Sequence, residues 1–293
     1  MFSGAITAMI SPFRDGQVDE QRLRQNVEHQ IAEGIDGLVP CGTTGESPTL
    51  SHAEHDRVIE VVVEAADKRV PVIAGTGSNS TAEALRLTRH AAQVGADASL
   101  QVNPYYNKPT QEGLYRHFMT IADEVDLKLV LYNIPGRTGV TMAPTTVVKL
   151  AKHPNIVAIK EATGSLDIAS EIAASCDITI LSGDDSLTLP LASVGGRGVI
   201  SVLSNLLPKK VGQLARSAAE GDFKSAREAH LKLFPLFKGM FLETNPIPIK
   251  TAMSLAGLDT GELRLPLSEM DSVHRKTLEG LLVAQGVIEE VSA

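Results

Sequence analysis

The chain has 293 residues, 43% of them hydrophobic and 21% charged, which is enough to bury a core in one large domain or two smaller ones and is unlike a disordered or fibrous chain. Its 35 acidic against 27 basic residues leave a net charge of -8, so no positive field favours nucleic acid or an anionic membrane surface, and a small-molecule ligand is the better expectation. Cys41 and Cys176 stand far apart outside any CxxC pattern, against a disulfide framework or a zinc site, and no basic-then-apolar leader or run of about 18 apolar residues occurs, so a reducing, cytoplasmic setting is expected.

Along the chain, short apolar runs alternate with longer amphipathic stretches. Gly4 to Ile10 reads as a strand and Asp19 to Glu33 as a helix. The pair recurs as Gly37 to Pro40 with Glu54 to Ala66, Val70 to Ala74 with Thr81 to Val94, and Ala98 to Val102 with Glu112 to Val125. Four more runs follow at Leu127 to Tyr132, Ile156 to Lys160, Ile178 to Leu181 and Gly198 to Val202, each beside helix-compatible sequence. These runs lack the polar alternation of a sheet with one wet face, so they read as parallel strands covered on both sides. The rhythm alone also fits an open, doubly wound sheet; eight strands in succession favour a (β/α)8 TIM barrel. After Pro208 only helical patterns continue, through Val211 to Glu220, Ser225 to Phe237, Pro248 to Ala256 and Met270 to Gln285. The expected organisation is therefore α/β, with a barrel over 1–207 and a C-terminal helical appendage over 208–293.

In such barrels the carboxyl ends of the strands form the active face, so polar residues there carry most weight. Lys160 ends the otherwise apolar run Ile156-Val157-Ala158-Ile159. A structural lysine would snorkel or pair with a neighbour such as Glu161. An ammonium held in an apolar barrel instead loses solvation, its pKa falls, and the neutral amine can attack a carbonyl to form an imine that acts as an electron sink. One strand earlier Tyr132 ends its run at the equivalent height, where a phenol can relay protons; taken alone it is equally a tyrosine capping the core. The loop Gly42-Thr43-Thr44-Gly45-Glu46 offers two hydroxyls between glycines, suited to a carboxylate, although such turns are usually only turns. Arg137, in Ile134-Pro135-Gly136-Arg137-Thr138, is placed to clamp a second carboxylate bidentately, or merely to be solvated. Gly75-Thr76-Gly77 and Gly195-Gly196-Arg197-Gly198 match no dinucleotide or P-loop fingerprint and read as tight turns. His52 and His55 lack a third ligand, so no metal is expected.

These residues resemble a known family. Gly42-Thr43-Thr44-Gly45-Glu46, Asn103-Pro104-Tyr105-Tyr106-Asn107-Lys108-Pro109, Tyr132-Asn133-Ile134-Pro135-Gly136-Arg137-Thr138 and Ile159-Lys160-Glu161, with similarity over essentially the whole chain, resemble the 4-hydroxy-tetrahydrodipicolinate synthase (dihydrodipicolinate synthase) family, among the pyruvate-dependent class I aldolases that include N-acetylneuraminate lyase. The resemblance implies a cofactor-free aldol condensation of pyruvate with L-aspartate 4-semialdehyde in the diaminopimelate route to lysine. The imine falls on Lys160 and the proton relay on Tyr132, Thr43 and Tyr106, the last reaching in from a neighbouring subunit. Substrate binding falls on Thr44, Arg137, Gly183 and Ile200. It further implies a homotetramer built as a dimer of dimers, and an L-lysine feedback site at Ser47, His52, His55, Asn79, Glu83 and Tyr105, where Pro48 departs from the small residue common in the family. The alternative within the superfamily is a sialate lyase or a keto-deoxy sugar acid aldolase; Gly-Arg-Thr at 136–138 favours the synthase.

Overall fold

The apolar runs pair as eight parallel strands, β1 (Gly4–Ala8), β2 (Gly37–Val39), β3 (Ile73–Gly75), β4 (Ala98–Val102), β5 (Lys128–Asn133), β6 (Ile156–Glu161), β7 (Thr179–Ser182) and β8 (Gly198–Ser201), in a computed structural model that describes residues 2–289. Met1 and residues 290–293, at the ends of the segments expected over 1–207 and 208–293, lie outside the described residues. Strand order is β2-β1-β8-β7-β6-β5-β4-β3, and a parallel bridge between Leu38 and Val72 joins the two outer members, so the sheet closes and the open-sheet alternative falls away. An antiparallel hairpin, Phe13–Arg14 with Gln17–Val18, follows β1 without a strand-length signal in the sequence.

The longer helices between strands are α1 (Glu20–Ala32), α2 (His52–Ala66), α3 (Thr81–Gln93), α4 (Gln111–Glu124), α5 (Pro144–Leu150), α6 (Leu166–Ser175) and α7 (Thr188–Ala192), and a single helical turn, Pro135–Thr138, carries Arg137 just after β5. Local chemistry sets their starts. Asp19 caps α1 by accepting from the Arg22 N–H, and Ser51 with Glu54 forms a capping box, which moves the start of α2 to His52 from the Glu54 expected on periodicity. Among the described residues no helix is long and apolar enough to cross a membrane.

Because successive strand residues face opposite sides, each strand feeds two cores. Ile6, Val39, Ile73, Val130, Ala158 and Leu181 fill the barrel interior, while Leu38, Leu129, Leu131 and Ile159 meet the helices outside. Lys160 has the parity of Ala158, so its side chain enters the interior. Past the boundary expected at 207/208, α8 (Pro208–Ala219) lies against β1 and β8 and so supplies an eighth helix to the outer ring. Helices α9 (Phe223–Gly239), α10 (Ile247–Leu255) and α11 (Ser272–Ala284) form the appendage, with α9 packed on α8 and α10 on α11.

Candidate active site

Parallel register sets Lys160 beside Tyr132 on β5 and Leu181 on β7, all at the carboxyl end of the barrel. The Lys160 side chain is buried and its Nζ lies 4.2 Å from the centroid of the Tyr132 ring. Burial pulls its pKa down to about 8; the carboxylates of Asp184 and Asp185 oppose that fall and Arg137 adds to it. An amine in that range is a usable nucleophile near neutral pH. Tyr132 moves the other way: burial, helped by Asp184, raises its phenol, against weaker pulls from Arg137 and from hydrogen bonding with Thr43, so it stays protonated and able to donate.

Space for the amine comes from Gly183, just past β7. A Cβ there would sit 2.5 Å from the Ala162 Cβ and 3.2 Å from the Lys160 Cε, so a side chain at this position would clash with Ala162 and crowd the lysine stem. Ile200 lies fully buried in the interior cluster on β8. Glu161, by parity, faces away from the interior and accepts hydrogen bonds from the Thr163 N–H (2.7 Å) and Asn133 Nδ2 (3.2 Å), so it is not the partner of Lys160.

A cleft of about 440 Å³ opens beside this centre, walled in part by Thr43, Tyr132, Ile134, Arg137 and Thr138. Ser47, Pro48, His52, His55, Glu83 and Tyr105 wall the same cleft, so the residues likened to a lysine site share one depression with Tyr132 and Arg137. There His52 Nε2 meets Glu83 Oε1 at 2.8 Å, Ser78 also donates to Glu83, and these two contacts hold the Glu83 carboxyl below its usual range. His55 bonds the Gly75 carbonyl at 2.9 Å, and burial lowers its pKa to about 4, so it is neutral. Asn79 is not among the wall residues; its carbonyl accepts from Asn107 Nδ2 at 2.8 Å. Thr44 is buried, its Oγ1 accepting from Asn245 Nδ2 at 3.0 Å, and Arg137 Nη2 donates to the Asn245 carbonyl at 3.1 Å. Tyr106 is not brought to Lys160 within one chain. It is 89% exposed, at a φ of 73°.

Several polar groups escaped the sequence reading. Asp184 and Asp185, whose signal was an acidic doublet straight after a strand, both have carboxyls raised by burial; Asp185 accepts from the Val202 and Leu203 N–H groups and so fixes the loop after β8. Lys250, the one charged residue of α10, is fully buried and reaches Glu46 Oε1 at 2.7 Å, tying the appendage to the threonine loop.

A lysine amine of lowered pKa inside a closed barrel, next to a protonated phenol, defines a lyase of the class I, Schiff-base aldolase type. The chain belongs to the dihydrodipicolinate synthetase family, whose model matches residues 1–285. It is 56% identical over 280 residues to a 4-hydroxy-tetrahydrodipicolinate synthase of Geotalea daltonii, covering 95% of this chain and 97% of the relative. The crystal structure of dihydrodipicolinate synthase from Aquifex aeolicus superposes with a TM-score of 0.97 at 50% identity, over 99% of this chain and 100% of that one. Two further neighbours hold ligands. The Acinetobacter baumannii enzyme complexed with pyruvate matches at TM-score 0.96 and 44% identity, over 98% of this chain and 100% of that one. The Cyanidioschyzon merolae enzyme with lysine bound matches at 0.95 and 40%, over 98% and 99%.

Proposed function

We propose that this protein condenses pyruvate with L-aspartate 4-semialdehyde as a 4-hydroxy-tetrahydrodipicolinate synthase. The observation that carries the reading is the Lys160 amine, buried in the barrel with its pKa lowered to about 8 and set over the Tyr132 ring. Nζ adds to the ketone carbon of pyruvate, and the carbinolamine loses water to leave a protonated imine. That cation acidifies the methyl group; loss of a methyl proton gives an enamine, whose carbon attacks the aldehyde of the second substrate. Release from the lysine and ring closure complete the reaction, with no metal or organic cofactor because the lysine supplies the electron sink.

In this reading Tyr132 donates and recovers the protons of addition and dehydration, passing them through Thr43 to Tyr106. Thr44 holds the pyruvate carboxylate and Arg137 that of the semialdehyde, while Gly183 and Ile200 shape the pocket around the imine. The relatives bear the synthase name, not that of a sialate lyase or sugar-acid aldolase. A cytoplasmic location, where pyruvate is at hand, belongs to the same proposal.

Tyr106 supports an assembly. A tyrosine 89% exposed yet held in the left-handed region is presented outward at a backbone cost, as expected of a side chain that completes a neighbour's site. The working unit is then a two-fold dimer, paired again into a homotetramer. Glu83, which can meet an ammonium group, and the histidines beside it form the L-lysine site, with Pro48 replacing a small residue on its wall.

Borohydride reduction with pyruvate, followed by peptide mapping, tests the central claim. The mass of one reduced pyruvate adduct is expected on Lys160 and none in Lys160→Ala; label elsewhere, or none, refutes it. L-Lysine at millimolar concentration is expected to slow turnover, and an unchanged rate removes the inhibitory site.

A further inference from the structure

Asn245 lies between α9 and α10, remote in sequence from every strand end, yet it touches two of the proposed substrate-binding residues. Its side-chain Nδ2 donates to Thr44 Oγ1 at 3.0 Å, and its main-chain carbonyl accepts from Arg137 Nη2 at 3.1 Å. Asn245 and Thr44 are 5% and 2% exposed, so neither polar group is free to exchange its partner for bulk water.

A hydroxyl has one proton to give and two lone pairs. With the Asn245 N–H on one lone pair, the Thr44 proton must go elsewhere, and among the described residues no protein acceptor takes it. A buried donor left without a partner is costly, which marks the proton as directed at something that enters the site. The Asn245 Oδ1 is likewise buried and unpaired among the described residues. Were the amide turned round, the Thr44 proton would be consumed by Oδ1 and the amide proton now given to Thr44 would lose its acceptor. The orientation with nitrogen toward Thr44 leaves both a proton and an oxygen for ligand or water.

We propose that Asn245 is a positioning residue that aims the Thr44 hydroxyl proton at the carboxylate of the 2-keto acid carried on Lys160, and that its carbonyl joins this subsite to the Arg137 clamp. The inference rests on the reading of Thr44 as a carboxylate donor. It separates the two functions of one residue: the first keto acid depends on the Asn245 side chain, the second substrate only on its backbone.

That separation makes it testable. Kinetics with each substrate varied in turn, together with trapping rates at graded pyruvate, are compared for wild type, Asn245→Ala, Asn245→Asp, Thr44→Val and the Thr44→Val/Asn245→Ala double variant. Losing a donor orientation toward a charged group is expected to lower kcat/KM for pyruvate about tenfold in Asn245→Ala, with kcat/KM for the semialdehyde changed less than about twofold. Asn245→Asp, nearly isosteric, turns the Thr44 proton toward itself and adds a negative charge, so it is expected to fall at least as far. In the double variant the loss should equal that of Thr44→Val alone, because both changes act through one hydroxyl. A purely structural role would lower both specificity constants and make the losses multiply. Unaltered pyruvate dependence in Asn245→Ala, multiplicative losses, or wild-type behaviour of Asn245→Asp overturns the proposal. If wild type forms no adduct on Lys160 at all, the imine reading itself fails instead.

Discussion

The titration of Lys160 is where the physical account is most exposed to measurement. Its pKa of about 8 against the ordinary 10.5 means that at pH 7 roughly one amine in eleven is neutral, against about one in three thousand for an unperturbed lysine; the gain is about 300-fold, or about 3 kcal/mol. Since kcat/KM for pyruvate reports the free enzyme, it should rise with pH and level off above a midpoint near 8, under saturating semialdehyde. Asp184 opposes the fall in pKa, so Asp184→Asn should shift that midpoint to lower pH. Burial has a matching effect on folding. The depressed pKa is an energetic cost while the amine is protonated in both folded and unfolded chains, below about pH 8, and it fades as pH climbs to 10.5. Lys160→Met should therefore melt above wild type at pH 7, with the gap narrowing toward pH 10. A rate flat from pH 6 to pH 9.5, a midpoint near that of free lysine, or an upward shift in Asp184→Asn refutes a Lys160 pKa lowered by burial.

Two other expectations concern how the site is held and shared. Lys250→Met strands the buried Glu46 carboxylate, leaving the Arg264 N–H at 3.2 Å as a remaining contact, so a loss of about 3–5 kcal/mol and a fall in melting temperature on the order of 10 °C are expected. The deficit should shrink in Lys250→Met/Glu46→Gln, which removes the stranded charge; a melt unchanged by Lys250→Met refutes it. For the tyrosine proposed to cross between subunits, inactive Lys160→Ala and impaired Tyr106→Phe chains are unfolded and refolded together in equal amounts. Half of the dimers are then mixed and each holds one intact site, so activity should recover to about a quarter of wild type; no gain over the separate chains shows that Tyr106 does not cross between subunits.

Much of the frame was legible because strand identity rests on local composition. The runs ending at Tyr132 and Lys160 lie side by side with these two residues in register, which follows from counting alternate residues in two adjacent strands. Barrel closure was less direct. It rests on the Leu38 to Val72 bridge, a pairing between strands whose own sequences say nothing about each other. The helix starting at Pro208 read as the beginning of an appendage because no strand follows it, whereas its packing on β1 and β8 comes from closure itself. Asn245 was illegible for a further reason. Asparagine between helices has a standing local explanation in turns, and only the folded chain brings it to a threonine 201 positions away.

The buried pair of Lys250 and Glu46 shows what that distance means for the site. Glu46 sits at a left-handed φ of 51° at the end of the threonine loop, a conformation that a non-glycine residue holds only when its surroundings fix it. Those surroundings are contributed by the appendage: Lys250 Nζ at 2.7 Å and the Arg264 N–H at 3.2 Å, while Asn245 holds Thr44 two residues earlier. The strands place the amine and the phenol, but the Thr44 hydroxyl and the Glu46 carboxylate are held from outside the barrel. A barrel cut at residue 207 would thus keep Lys160 and Tyr132 and lose what holds Thr44 in place. The segment after α8 therefore holds the threonine loop in place as much as it covers the barrel.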